Sequence, residues 1–234
     1  RKQRPIKHRA LPRPPRTARP HAMTTAPRAA LLALASAVAL SGCATVPAPA
    51  SSAQDAFWQA LSSHCGKAYA GGLVSTQEAD ADMRGKAMAM HVRTCSADRI
   101  EVPFHVQQAD GTWDRSRTWV LTRTPDGLRL KHDHRHEDGS HDAVTMYGGD
   151  TAGAGTAVRQ SFPVDAESVA MFGREGLKAS IQNTWAMEIE PGQRFLYELS
   201  RPGGRLFQVE FDLSQPVDAP PAPWGHEDSD PTGS

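Results

Sequence analysis

Half of the eight histidines that follow residue 43 fall within ten positions, in Leu128-Arg-Leu-Lys-His132-Asp-His134-Arg-His136-Glu-Asp-Gly-Ser-His141-Asp142. Imidazole titrates closest to neutrality of all side chains and is the commonest metal ligand in proteins. Side chains two apart share a face of a strand. Leu128, Leu130, His132, His134 and His136 are therefore expected on one side, and Arg129, Lys131, Asp133, Arg135 and Glu137 on the other. Asp138-Gly139 favours a two-residue hairpin loop. That loop sets Glu137 opposite Ser140, His136 opposite His141, Arg135 opposite Asp142 and His134 opposite Ala143. Opposed Cβ atoms lie about 5 Å apart and diagonal neighbours about 8 Å, so His134, His136 and His141 should converge, with His132 next along the same face. Three imidazoles and an open fourth position suit zinc or a related divalent transition metal acting on bound water. The competing expectation is a wet polar loop whose histidines hold no ligand.

The surrounding chain must supply strands to carry such a hairpin, and it does. After a helix expected over Ala53–His64, with Phe57, Trp58 and Leu61 on one face and Gly66 as its stop, short partly alternating runs predominate. They are Lys67–Ser75, Lys86–Cys95, Arg99–Val106, Arg117–Arg123, Leu128–Glu137, Ala143–Tyr147, Ala157–Phe162, Asn183–Ile189, Arg194–Ser200 and Leu206–Leu213. Thr-Pro-Asp-Gly, Glu-Pro-Gly-Gln and Arg-Pro-Gly-Gly provide turns between them. One helical break, Ala166–Phe172, follows Asp165 as its cap. The predicted fold is mainly β, a single antiparallel barrel or sandwich with an N-terminal helix and one short inserted helix. Trp113, Trp119, Trp185, Tyr69, Phe195 and Tyr197 are expected to fill its core, and His91 and His105 to be strand residues with satisfied hydrogen bonds.

Ahead of this domain lies a different kind of sequence. Met23 and Arg28 precede an uncharged apolar run, Ala29–Leu40, which ends in Leu40-Ser41-Gly42-Cys43. Twelve helical residues rise only about 18 Å, short of the roughly 30 Å of a bilayer core, so the run reads as a signal-peptide core over 23–42. The stretch resembles the bacterial lipoprotein signal, whose Leu-Ser/Ala-Gly/Ala-Cys pattern it matches at all four positions. The resemblance implies acylation of Cys43, cleavage before it and anchoring in the outer membrane, since Ala44 rather than Asp follows. A plain secretory signal with an accidental cysteine is the alternative. Residues 1–22, with eight Lys/Arg, five Pro and no acid, are expected to be an upstream extension rather than part of the protein proper.

The formal net charge of zero conceals an asymmetry, because residues 1–42 hold nine of the 26 basic residues and none of the 26 acidic ones. From Cys43 onward 17 Lys/Arg face 26 Asp/Glu. A surface that acidic argues against a nucleic-acid partner. Export leaves Cys65 and Cys95 in an oxidising compartment, where a disulfide between them is expected; two free thiols, or a metal site with His64 or His91, are the alternatives. Residues 43–52 read as a small-residue and Pro tether, 53–215 as the β domain, and 216–234 as an unstructured Pro-rich and acidic tail.

The helix leading into Gly66-Lys67-Ala68-Tyr69-Ala70-Gly71 and a strand ladder resembles the entry to calycin barrels, the lipocalin relatives. Gly127, His132, His134 and Glu137 also resemble the first cupin motif, with two gaps one residue short and no second motif. No catalytic signature accompanies the histidines. The sequence therefore favours a non-enzymatic lipoprotein that binds a small ligand or an envelope protein. A metal-dependent or cupin-like enzyme built on His132–His141 is the alternative.

Overall fold

The computed structural model describes residues 52–227. A first helix, α1 (Ala53–Ser62), begins at a reciprocal cap: Asp55 N donates to Ser52 Oγ at 3.0 Å, and Ser52 N donates to Asp55 Oδ2 at 3.2 Å. Gly66, at φ 78°, turns the chain out of the helix end. Eleven strands follow. They are β1 (Ala68–Leu73), β2 (Met88–His91), β3 (Thr94–Cys95), β4 (Arg99–Gln107), β5 (Trp113–Thr124), β6 (Gly127–His134), β7 (Tyr147–Asp150), β8 (Arg159–Pro163), β9 (Thr184–Glu190), β10 (Arg194–Arg201) and β11 (Arg205–Val217). A second helix, α2 (Ala166–Arg174), lies between β8 and β9, and two short 3-10 turns span Glu78–Met83 and Lys178–Gln182.

All pairings are antiparallel, in the order β7-β6-β5-β4-β2-β1-β11-β10-β9-β8, with β3 an appendage on β4. Apart from β3, every neighbour is the next strand in sequence, and the first strand pairs with the last. The result is an up-and-down barrel whose one seam falls between β7 and β8. Two hydrogen bonds draw that seam together. Asp165 N donates to Gly148 O at 2.9 Å, and Gly148 N donates to Ser168 Oγ at 2.8 Å. Gly149 is required there, because a Cβ on it would stand 1.7 Å from Pro163 O.

The two ends of the barrel differ. The β5–β6 turn and the end of β7 meet α1, where Arg123 pairs with Asp55 at 2.6 Å and lies 4.8 Å over the Trp58 ring, and Gln54 donates to Thr151 Oγ1 at 3.0 Å. Phe57, Trp58 and Leu61 of α1 are buried in the same hydrophobic cluster as Leu121, Leu128, Leu130, Ile189 and Phe195. The end bearing His134, Tyr147 and Phe207 is flanked instead by α2 and the two 3-10 turns.

Two sequence expectations are corrected. Ala143–Tyr147 is a loop rather than a strand, since Val144 N donates to Asp142 Oδ1 at 2.7 Å, His134 N donates to Thr145 Oγ1 at 2.8 Å, and Met146 turns left-handed at φ 55°. The strand begins only at Tyr147. Nor are residues 216–227 unstructured: β11 continues to Val217, and residues 218–227 lie along the outside of β4–β6. Their backbone carbonyls supply the pairing that their sequence pattern does not. His105 Nε2 donates to Pro221 O (2.9 Å), Arg115 to Ala222 O (2.6 Å) and Arg93 to His226 O (3.1 Å). The Cys65–Cys95 disulfide is present, with the Cα atoms 6.2 Å apart, and fastens the end of α1 to β3. It closes a loop of about thirty residues, so replacing both cysteines with alanine should lower stability by about 3 kcal/mol in urea titrations. A loss below about 0.5 kcal/mol would mean that the plug is held without it.

Candidate functional site

At the open end of the barrel lies a cavity of about 320 Å³. Its floor and walls are aromatic: Phe104, Trp119, Tyr147, Phe172, Trp185, Tyr197 and Phe207. Trp119 is sandwiched between Phe104 (4.9 Å, 9° between planes) and Tyr197 (4.4 Å, 17°), and Tyr147 leans on Trp185 (5.6 Å) and Phe172 (5.3 Å). Such pairs hold one another's orientation beyond the effect of area burial. Arg117, His132, His134, Asp80, Ser180, Asn183 and Arg205 supply polarity.

The strand register explains this placement. Arg117 lies opposite His134 on β6 and Phe104 on β4, and Trp119 lies opposite His132. Alternation along β6 sends Leu128, Leu130, His132 and His134 into the lumen, as the two-residue spacing predicts. The outward Lys131 is covered by Asp165 (2.8 Å) and Glu167 (3.1 Å), and the outward Asp133 by Arg135 and the carboxy-terminal segment.

His132 is 2 % exposed and bridges the lumen. Its Nδ1 faces Tyr147 O at 3.0 Å, an acceptor only, so that nitrogen carries the proton and donates. Nε2 then accepts from the Tyr197 hydroxyl at 2.7 Å. His134 Nε2 and the Tyr147 hydroxyl are 3.1 Å apart. Burial, reinforced by His134, pushes the His132 pKa down to about 3; burial and then Arg117 push that of His134 down to about 4. Both imidazoles are neutral at pH 7. Burial also raises the Tyr147 and Tyr197 hydroxyls above the ordinary tyrosine range, so both keep their protons.

The expected convergence of His132, His134, His136 and His141 on a metal does not occur. Arg135, not His136, pairs with His141. His136 N donates to Ser140 O, and Gly139, at φ 82°, donates to His136 O. The loop thus holds three residues with a left-handed glycine rather than two, and a one-residue slip turns side chains to opposite faces. His132 and His134 stay in the lumen. His136 and His141 are exposed at 58 % and 54 %, with His141 Nδ1 3.3 Å from the outward Asp133. Among the described residues no three His, Cys, Asp or Glu side chains are arranged to hold a metal ion. The cupin expectation fails for the same reason.

Other expectations divide. Trp119, Trp185 and Tyr197 are core residues and also cavity wall, whereas Trp113 packs outside near His105 (6.5 Å). His105 satisfies only one nitrogen, since its buried Nδ1 has no partner among the described residues. Cys43 lies outside the described residues. Sequence reasoning missed Arg117, Tyr147, Phe104 and Phe207 as lining residues. The available signal was Arg117 itself, a charge two residues before Trp119 and four before Leu121, on the strand's inward face.

Acid sensitivity follows from these histidines. The unfolded chain takes up a proton at each near pH 6.5, while folded His132 and His134 refuse it until about 3 and 4. Their contribution is complete above pH 6.5 and is lost as pH falls, at about 1.4 kcal/mol per unit for each group. Burial also lowers the pKa of His64, His91 and His105, which adds to the trend. Urea midpoints should therefore fall between pH 7 and 4.5. His132→Gln, which can still donate to Tyr147 O and accept from Tyr197, should remove about one proton from that slope. An unchanged slope would contradict a neutral buried imidazole.

No family model matches this chain, and no curated protein does. Among solved structures it is similar to a redesigned β-barrel, at 10 % identity over 65 % of this chain and 93 % of that one with a TM-score of 0.30. It is also similar to the siderocalin Ex-FABP, described as functioning through dual ligand specificities, at 11 % identity over 63 % and 70 % of the two chains with a TM-score of 0.24. At that level of similarity neither protein lends its function to this one, and the chemistry of the cavity rests on its own residues.

Proposed function

We propose that this chain is a lipid-anchored protein of the bacterial cell envelope whose barrel holds a small ligand in the cavity between β4–β6 and β9–β11. The observation that carries the reading is the half-filled lumen: α1 buries Phe57, Trp58 and Leu61 at one end, and an aromatic cavity of about 320 Å³ remains at the other. Ligand sites are typically concave, mostly apolar and furnished with a few placed polar groups, at volumes from roughly 300 Å³ upward. This cavity meets each condition. Its two histidines are engaged by buried tyrosines and a carbonyl, which favours binding over catalysis.

Anchoring is proposed from the Leu40-Ser41-Gly42-Cys43 pattern, with Cys43 as the acylated residue and the outer membrane as the destination. Stable attachment needs two or more acyl chains, since one binds only marginally. Cys43→Ser in the full chain should move the protein from the detergent-extracted outer-membrane fraction to the soluble periplasmic one. Retention of the variant in the membrane fraction would refute anchoring through Cys43.

For the cavity, titration with the neutral probe 1-naphthol should give saturable one-to-one binding with quenching of tryptophan emission. Leu199→Trp and Val144→Trp, which fill the cavity from β10 and from the loop before β7, should each weaken binding at least tenfold while thermal unfolding stays cooperative. Absence of saturable binding, or equal binding by the filled variants, would overturn the reading.

A further inference from the structure

Resting on that reading, we propose that the cavity selects a small anionic ligand, an aromatic or short-chain carboxylate, whose head group is received by Arg117 and whose apolar body lies among Trp119, Trp185 and Phe207. Volume sets the size. About 320 Å³ corresponds to roughly ten water volumes, which accommodates on the order of ten to fifteen non-hydrogen atoms. A long acyl chain or a macrocycle exceeds that space.

Charge sets the class. Two guanidinium groups line the cavity, and they are not equivalent. Arg205 is saturated by a two-pronged pair with Asp80, at 2.5 and 2.6 Å, and Asp80 is itself buried. Arg117, opposite the last residue of β6 and 29 % exposed, gives one N–H to Asp114 at 2.6 Å. The rest of its five N–H groups have no acceptor among the described residues. Asp114 does not line the cavity, and the sole lining carboxylate is the Asp80 already committed to Arg205. The inner wall therefore presents a cation with donors in reserve and no anion of its own.

The neighbours of Arg117 add donors rather than competition. His134 lies opposite it across the strand pair, and the Tyr147 hydroxyl is bonded to that imidazole at 3.1 Å. A carboxylate beside Arg117 meets the guanidinium fork, whose planar geometry matches two oxygens at once. Beyond the head group, polar demand ends. Phe104 pairs with Arg117 across the β4–β5 ladder, and the stacked Phe104, Trp119 and Tyr197 rings form a rigid apolar wall beside it. An ammonium of the same shape meets only ring faces there and is repelled by Arg117.

The test uses three probes of one shape and different charge: 1-naphthoate, neutral 1-naphthylmethanol and cationic 1-naphthylmethylammonium, titrated calorimetrically into the full-length protein at pH 7.5. Naphthoate should bind one-to-one at least tenfold more tightly than the alcohol, and the ammonium should bind more weakly than either. Arg117→Gln should cost naphthoate at least tenfold while changing the alcohol less than threefold. Retained alcohol binding also certifies that the variant is folded, and Arg117→Lys should recover part of the naphthoate affinity. Equal binding of acid and alcohol, or equal losses in Arg117→Gln, would overturn the charge assignment and leave a cavity for neutral ligands. Failure of all three probes to bind would remove the ligand-binding reading itself.

Discussion

A ten-stranded barrel encloses more space than the side chains of its own strands can fill, since about eight strands already give an interior that side chains just occupy. Everything distinctive about this protein follows from how that surplus is divided. One helix, α1, supplies Phe57, Trp58 and Leu61 to one end, and a disulfide ties the following segment to β3 so that the plug stays seated. No second helix enters the other end. There α2 and the 3-10 turns stand around the mouth, and the space within is left to aromatic rings, of which Trp119 on β5 and Tyr197 on β10 stack across the lumen.

That arrangement solves a problem of polar satisfaction as well as of volume. His132 lies almost wholly buried, where an unpaired imidazole would be costly. Its two nitrogens are matched to a carbonyl on β7 and a hydroxyl on β10, which fixes its tautomer and bridges two strands that are not neighbours in the sheet. The bridge spans the seam between β7 and β8 from within, while Asp165 and Ser168 draw it together from the α2 side. Arg117 is the exception to this tidy pairing, and its position one strand away from the bridge puts an incompletely engaged cation against a neutral, aromatic wall.

Much of this is readable in the sequence wherever a period of two survives. Leu128-Arg-Leu-Lys-His132-Asp-His134 alternates cleanly, and its inward set is the one observed. The meander and the first helix come from equally local signals. Legibility stops where one residue decides a face. Asp138-Gly139 signals a tight turn, but the sequence does not tell a two-residue loop from a three-residue loop with a left-handed glycine. That difference separates His136 and His141 from the lumen histidines. The segment 218–227 is opaque for another reason. Its order comes from its own carbonyls meeting Arg93, His105 and Arg115, side chains more than a hundred residues away, so no pattern within it could announce the contact. Arg117 was visible all along as a charge in an inward position; what it lacked was the knowledge that the lumen there is hollow.

The claim on which the account turns is that a small molecule enters the barrel at the open end and nowhere else. The five tryptophans report on this directly, because Trp119 and Trp185 wall the cavity, Trp58 sits in the plug, and Trp113 and Trp224 lie outside. In nitrogen–proton correlation spectra of the labelled protein titrated with 1-naphthol, the indole signals of Trp119 and Trp185 should shift saturably and together, while the other three hold still. Shifts confined to Trp113, Trp224 or Trp58, or no saturable shift at all, would contradict it.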